Sequence, residues 1–184
     1  MSNILVNTIK DTGNNTLLSS DGSGSVTLGS GFPQNTPAFL GYRSGFQFIT
    51  DETTTKVDLN ASQIDTHSAF DTTNNRFTVP SGQAGVYQIS GQAVMGNTDG
   101  LASNLRDHYL YIYKNGSNIS YSDNNPNASW WAQNTSYTSG IFNLSVGDYI
   151  ELYVYINVGS GTGRIAGIDG GIRTFLSGYK LIGV

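Results

Sequence analysis

Two strand-length segments constrain this chain more than any other feature, because both of their faces are built for burial. In Asp148–Ile156 one face carries Ile150, Leu152, Val154 and Ile156, while the alternate face carries Tyr149, Glu151, Tyr153 and Tyr155. Residues two apart share a face of an extended chain. His108–Lys114 repeats the pattern, with Leu110 and Ile112 on one side and Tyr109, Tyr111 and Tyr113 on the other. A sheet that covers one core needs only one apolar face per strand. The second face therefore predicts either packing against another subunit, where amphipathic rings are favoured, or cross-strand aromatic ladders under loops.

Strand-length runs recur through the rest of the chain. Residues 38–42, 46–49, 56–59, 76–79, 86–95, 109–114, 136–144, 148–158 and 175–184 are expected to be strands. Turn signals separate them, notably Lys114-Asn115-Gly116-Ser117, Ser145-Val146-Gly147-Asp148 and Gly159-Ser160-Gly161-Thr162-Gly163. No stretch joins a helical apolar period to helix caps. Many short strands with frequent turns predict an all-β sandwich or jelly roll.

Residues 1–31 read as a separate β-hairpin arm. The short β-prone runs Ile4–Ile9 and Thr16–Leu18 are split by Asp11-Thr12-Gly13-Asn14-Asn15, and a second turn follows at Asp21-Gly22-Ser23-Gly24. Runs this short support no core alone. Ile4, Leu5, Val6 and Ile9 are therefore expected to attach the arm to something else: the main domain, a neighbouring subunit or a larger particle. The expected organisation is this arm plus one domain over residues 37–184, a usual domain size.

Composition excludes several functions. Charged residues make up 12% of the 184 positions, against roughly 25% in ordinary soluble domains. The net charge of −4 argues against a cationic nucleic-acid face and against docking on an anionic membrane. No apolar run approaches the roughly 20 residues of a membrane-spanning helix. There is no cysteine, so neither disulfides nor thiolate metal sites are expected. The opening residues MSNILVNTIK lack the cationic and long apolar regions of a secretory signal, so synthesis and folding in a cytoplasm are expected.

A family resemblance emerges from several short motifs in order. Asp65-Thr66-His67-Ser68-Ala69-Phe70-Asp71, then Arg76-Phe77-Thr78-Val79-Pro80, then Gly85-Val86-Tyr87-Gln88-Ile89 resemble the signature of the complement C1q-like globular domain. Leu110 to Gly116, Leu144 to Ile150 and Thr174 to Leu181 continue it. The turn from Phe77 to Gly85 is longer than is usual in the family, and Ile89 stands where the family favours Phe. The resemblance implies a jelly-roll β-sandwich of the C1q/TNF-like type, associating as a homotrimer. On that implication Tyr109, Tyr111, Tyr113, Tyr149, Tyr153 and Tyr155 are expected to line the trimer interface.

The arm resembles the short leader of structural and fibre proteins of tailed phages, through Asn3-Ile4-Leu5-Val6-Asn7-Thr8-Ile9-Lys10-Asp11 and Leu18-Ser19-Ser20-Asp21-Gly22-Ser23-Gly24. Together the two resemblances imply a virion component, made in the host cytoplasm and contacting other virion proteins. The leading expectation is a trimeric fibre tip or receptor-binding knob that meets a host-surface glycan or protein. A capsid decoration protein and a non-viral carbohydrate-binding module are the alternatives.

Candidate chemistry is sparse. The two histidines, His67 and His108, sit beside residues whose side chains point to the opposite strand face, so no triad is expected and the protein is read as non-enzymatic. Asp123-Asn124-Asn125-Pro126-Asn127 starts like a calcium loop, but Ala128 and Asn134 occupy its sixth and twelfth positions, where Gly and an acidic residue belong. No cofactor or metal ligand is expected; C1q-like trimers carry calcium near the apex, but no residue here can be assigned to it. Trp130 and Trp131, with Tyr121 and Tyr137 nearby, are the candidate ligand- or receptor-binding residues. Neighbours on an extended segment face opposite ways, so one Trp is expected in the core.

Overall fold

The computed structural model describes residues 6–29, 35–98, 105–125, 131–168 and 170–183. It divides into two compact units, Met1–Gln34 and Asn35–Val184. Among the described residues every regular element is a strand.

The first unit holds β1 (Thr8–Lys10), β2 (Thr16–Ser20) and β3 (Val26–Leu28) as an antiparallel sheet in that order. Its first turn is closed by Asp11, whose carboxylate accepts the Asn15 N–H at 2.8 Å, and its second by Asp21, which accepts the Ser23 N–H at 2.7 Å. These side chains replace backbone partners that a tight turn leaves unmade. Val6, Ile9, Val26 and Leu28 remain exposed, because three short strands have nothing of their own to bury them against.

The second unit holds β4 (Ala38–Tyr42), β5 (Gln47–Ile49), β6 (Thr55–Lys56), β7 (Ala61–Asp65), β8 (Phe70–Asp71), β9 (Arg76–Thr78) and β10 (Gly85–Asn97). It continues through β11 (Leu105–Lys114), β12 (Ser117–Asn124), β13 (Gln133–Leu144), β14 (Tyr149–Val158), β15 (Gly163–Ala166) and β16 (Phe175–Lys180). One sheet runs β5-β15-β10-β16-β4-β7, with β13 on the other edge of β10; the second runs β12-β11-β14-β9-β8, with β6 also against β14. This is a β-sandwich. β10 is its longest strand: β13 lines one edge from Gly85 to Gly96, while the other edge passes from β16 to β15.

The alternation read from the sequence fills the space between the sheets. Leu110, Ile112, Ile150, Leu152, Val154 and Ile156 point inward and are fully buried. At one end the motif residues form an aromatic stack. Phe39 and Phe77 lie 4.1 Å apart and nearly parallel at 6°, Phe70 flanks Phe39 at 5.9 Å, and Tyr87 tilts onto Phe77 at 5.8 Å. The lengthened turn before Gly85 has a use here: the Tyr87 hydroxyl donates to the Gln83 carbonyl at 2.6 Å, which satisfies the polar tip of a wholly buried ring. Asp65 caps the start of the motif by accepting the Ala69 N–H at 2.8 Å and the Phe70 N–H at 3.1 Å.

The Asn115-Gly116 turn joins β11 to β12 with positive φ at both residues, 51° and 78°. That is the primed hairpin turn whose twist matches the strands it connects, and Gly adopts it without a Cβ clash. The sheets meet at their β12 and β13 edges through side chains. Ser120 and Thr138 hydroxyls lie 2.6 Å apart, and the Asn124 amide donates to Ser136 Oγ at 2.9 Å.

Strand expectations differ from the structure in instructive places. Residues 57–59 were expected to belong to a strand, but the strand is Thr55–Lys56; Val57 keeps one backbone bond to β14, its N–H donating to the Leu152 carbonyl at 2.8 Å, and Val57 and Leu59 are buried. β7, β8 and β12 were not expected, since ASQID, FD and SNISYSDN lack strand-length apolar runs. β15 begins on Gly163, inside what reads as a turn.

Candidate functional site

The outward face of the six-stranded sheet is a panel of tyrosines. Pairing registers set Tyr109 opposite Tyr155 and Tyr111 opposite Tyr153 between β11 and β14, and Tyr111 opposite Tyr121 between β11 and β12. Tyr109, Tyr111 and Tyr113 follow one another at 6.1 Å between ring centroids. Tyr113 stacks on Tyr153 at 4.3 Å, Tyr109 meets Tyr155 edge-on at 5.4 Å, and Tyr121 lies 6.3 Å from Tyr111. The rings thus form a cross-strand ladder.

Carboxylates border the panel. Asp123 lies opposite Tyr109 and Glu151 opposite Tyr113. Asp51 accepts the Val158 N–H at 2.8 Å, and Glu52 accepts from the Asn157 amide at 3.0 Å. Glu151 is buried and forms an ion pair with Lys56, whose ammonium also donates to the Asn74 carbonyl at 2.6 Å. Burial pushes the Tyr111, Tyr153 and Tyr155 hydroxyls above their ordinary range; neighbouring Tyr109, Glu151 and Glu52 respectively add to the effect. All three therefore remain protonated donors at neutral pH.

Tyr149 stands apart from the panel. Glu151 separates it from Tyr153 along the strand, and the Arg76 guanidinium covers its ring at 4.6 Å, a cation–π contact. Tyr121 and Tyr137 are not brought together either. Tyr121 joins the panel, while Tyr137 lies on the other sheet and donates to Ser90 Oγ at 3.1 Å.

The outward face of the seven-stranded sheet has a different chemistry. Its half-buried positions include Leu40 on β4, Gln88, Ser90 and Gln92 on β10, and Ser177 on β16. Ile141 is 64% exposed and Tyr137 52%, with Ile64 and Tyr179 also open to solvent. No charged residue occupies the outward positions of β4, β10 or β13.

Trp131 packs inward. It bridges Leu105 through backbone bonds of 2.9 and 3.3 Å, rests on the core and meets the buried His108 edge-on at 5.7 Å. Trp130, like Ile4 and Leu5 of the arm, lies outside the described residues.

His108 is locked in one neutral tautomer. Its Nδ1–H donates to the Arg106 carbonyl at 3.2 Å, and Nε2 accepts from the Asn134 amide at 3.0 Å. Asn134 cannot turn its oxygen toward the ring, because that oxygen accepts the Thr135 N–H at 2.8 Å. Burial holds the imidazole below its ordinary range, against smaller opposing effects from Arg106 and Asp107. A group that binds its proton more weakly when folded stabilises the fold above the unfolded value and loses that contribution as pH falls through it. The thermal midpoint is therefore expected to drop as pH is lowered from about 7.5 to about 5, with a smaller drop in His108→Gln. Asp148, held at about 2 chiefly by the Lys114 ammonium, contributes nothing to that window.

No protein-family model matches the chain. It is 29% identical over 145 residues to the phage-like element PBSX protein XkdV of Bacillus subtilis, an alignment that takes in 72% of this chain and 19% of that protein. The chain thus spans about a fifth of the length of that relative, to which it is distantly homologous. Among solved structures, the globular domain of zebrafish complement 1qA superposes with a TM-score of 0.53 at 15% identity, covering 79% of this chain and 98% of that one. The Eiger TNF of S. frugiperda gives 0.52 at 12%, covering 80% and 93%. The chain has the C1q/TNF-like jelly-roll fold.

Proposed function

We propose that this protein is a virion component of a phage or phage-like element, a non-enzymatic homotrimeric knob that tips a fibre and contacts the host surface. The observation that carries the reading is the pairing of a C1q/TNF-like jelly roll with distant homology to a far longer phage-like element protein. A compact unit homologous to about a fifth of a much longer phage-like element protein suits a fibre knob. The exposed Val6 and Ile9 of the three-stranded unit are suited to bury against another particle protein.

We place the trimer contact on the outward face of the seven-stranded sheet rather than on the tyrosines. The tyrosine rings already cover one another, whereas Ile141, Ile64 and Tyr179 stand open on a sheet face without charge on its main strands. Uncharged faces with isolated apolar side chains suit the core of a subunit contact.

Two measurements test this. Light scattering on the full chain is expected to give a trimer, and Ile141→Asp is expected to give monomers, because a carboxylate buried there without a partner costs several kcal/mol. A trimer that survives Ile141→Asp but is lost in Tyr153→Ala would return the interface to the tyrosines. Labelling of purified particles is expected to find a few copies at the tail. Many copies over the head would instead mark a decoration protein.

A further inference from the structure

We propose that the tyrosine panel is a glycan-binding platform, on which an extended, uncharged polysaccharide lies across Tyr109, Tyr111, Tyr113, Tyr121 and Tyr153. The inference rests on the reading of the chain as a host-recognition module.

Its chemistry is that of the ligand's complement. A sugar ring has a flat face of polarised C–H groups and an edge of hydroxyls. Aromatic rings attract the first through their negative faces, and phenolic hydroxyls both donate to and accept from the second. The three tyrosines of β11 form a row at 6.1 Å steps, with Tyr153 and Tyr121 widening it on either side. Such a strip fits a linear chain of rings better than a compact ligand. It is exposed most at Tyr121, 59% open to solvent.

The panel also discriminates. Positions 109, 111, 113, 121, 151, 153 and 155 carry no aliphatic side chain, so a hydrophobic protein surface or lipid finds little to bury there. The bordering Asp51, Glu52 and Asp123 accept hydrogen bonds from sugar hydroxyls and repel phosphate- or carboxylate-bearing polymers. Lys56, the cation beside Tyr153 in the pairing register, is committed to Glu151.

The test is a glycan array carrying neutral hexose and N-acetylhexosamine oligosaccharides beside phosphorylated and carboxylated ones, probed with the full chain. Neutral oligosaccharides are expected to bind, longer chains more tightly than short ones. Tyr121→Ala and Tyr111→Ala are expected to weaken binding at least about tenfold, the loss of one stacked ring, while Tyr111→Phe keeps most of it. Tyr121→Ala, at the exposed edge, is expected to leave the thermal midpoint and oligomeric state unchanged, so its loss of binding does not report unfolding. Absence of neutral-glycan binding, a preference for the anionic glycans, or equal binding by both alanine variants would overturn the platform. These outcomes are separable from the parent reading: particles that carry the chain while the array stays blank remove only the platform. A chain absent from particles removes the parent reading and leaves any array binding in place.

Discussion

Phe77→Ala is expected to lower stability by about 3–5 kcal/mol, the range for removing a large aromatic side chain from a packed core. Phe77 has no solvent exposure, and it sits between the nearly parallel ring of Phe39 and the tilted ring of Tyr87. Alanine on β9 leaves a cavity facing Phe39 on β4 and Tyr87 on β10 of the opposite sheet. Neither sheet can close it without moving against the other, so the site relaxes poorly. For a domain of this size the loss corresponds to a thermal midpoint lower by on the order of 10 °C. Phe48→Ala is the control: that ring is exposed, and its removal is expected to change stability by no more than about 0.5 kcal/mol. Scanning calorimetry of the two variants checks both values. Equal midpoints would show that the aromatic stack is not what holds this end of the sandwich.

Gly167→Ala is expected to cost about 3 kcal/mol, at the upper end for overpacking. A methyl group at Gly167 would fall 2.4 Å from the Gly45 carbonyl oxygen, 2.5 Å from the Gly45 nitrogen and 2.7 Å from the Arg43 carbonyl oxygen. All three are backbone atoms, and Arg43 fixes them. Its guanidinium donates to the carbonyls of Gly45 at 3.1 Å and Phe46 at 2.7 Å and pairs with the Asp58 carboxylate, while its own N–H donates to the Thr174 carbonyl at 3.0 Å. The methyl therefore forces either the loop or its arginine clasp to give. Gly45→Ala meets no atom within 4 Å and is expected to be neutral or slightly stabilising, because it narrows the unfolded ensemble. Denaturant unfolding of the two variants distinguishes a position-specific clash from a general dislike of alanine in the loop.

Much of the fold was legible because burial writes itself as alternation. Leu110 and Ile112, and Ile150 through Ile156, declare their strands by period alone, and the Asn115-Gly116 pair declares the turn between β11 and β12. Phe70, Phe77 and Tyr87 were legible as motif residues, and the structure supplies the physical reason for the motif in one stack of rings.

What was hidden lay in polar strands. β12 reads SNISYSDN; it sits at a sheet edge, where Ser120 and Asn124 meet β13 through polar contacts and the alternate side chains Tyr121 and Asp123 are exposed, so no apolar pattern marks it. Missing β12 obscured the panel's extent, since only the β11–β12 register brings Tyr121 to Tyr111. Closeness in sequence instead grouped Tyr121 with the Trp pair. Tyr149 was grouped with the panel by period, yet its partner is Arg76, a contact between strands that no local pattern reveals. β15 was masked by the glycines that open it; Gly163 has Ile156 side-chain atoms and the Ile49 carbonyl within 3.3 Å of where a Cβ would stand, so a small residue there serves close packing rather than a turn.

The pairing of β4 with β16 has a consequence in time. The strand that begins the jelly-roll unit has one of its two neighbours in the strand that ends it, joined from Ala38–Tyr179 to Tyr42–Phe175. During synthesis β4 can pair early with β7 on one edge, but its other edge stays unpaired until β16 has been made. Such late long-range closure makes for slow folding with a transiently open sheet edge.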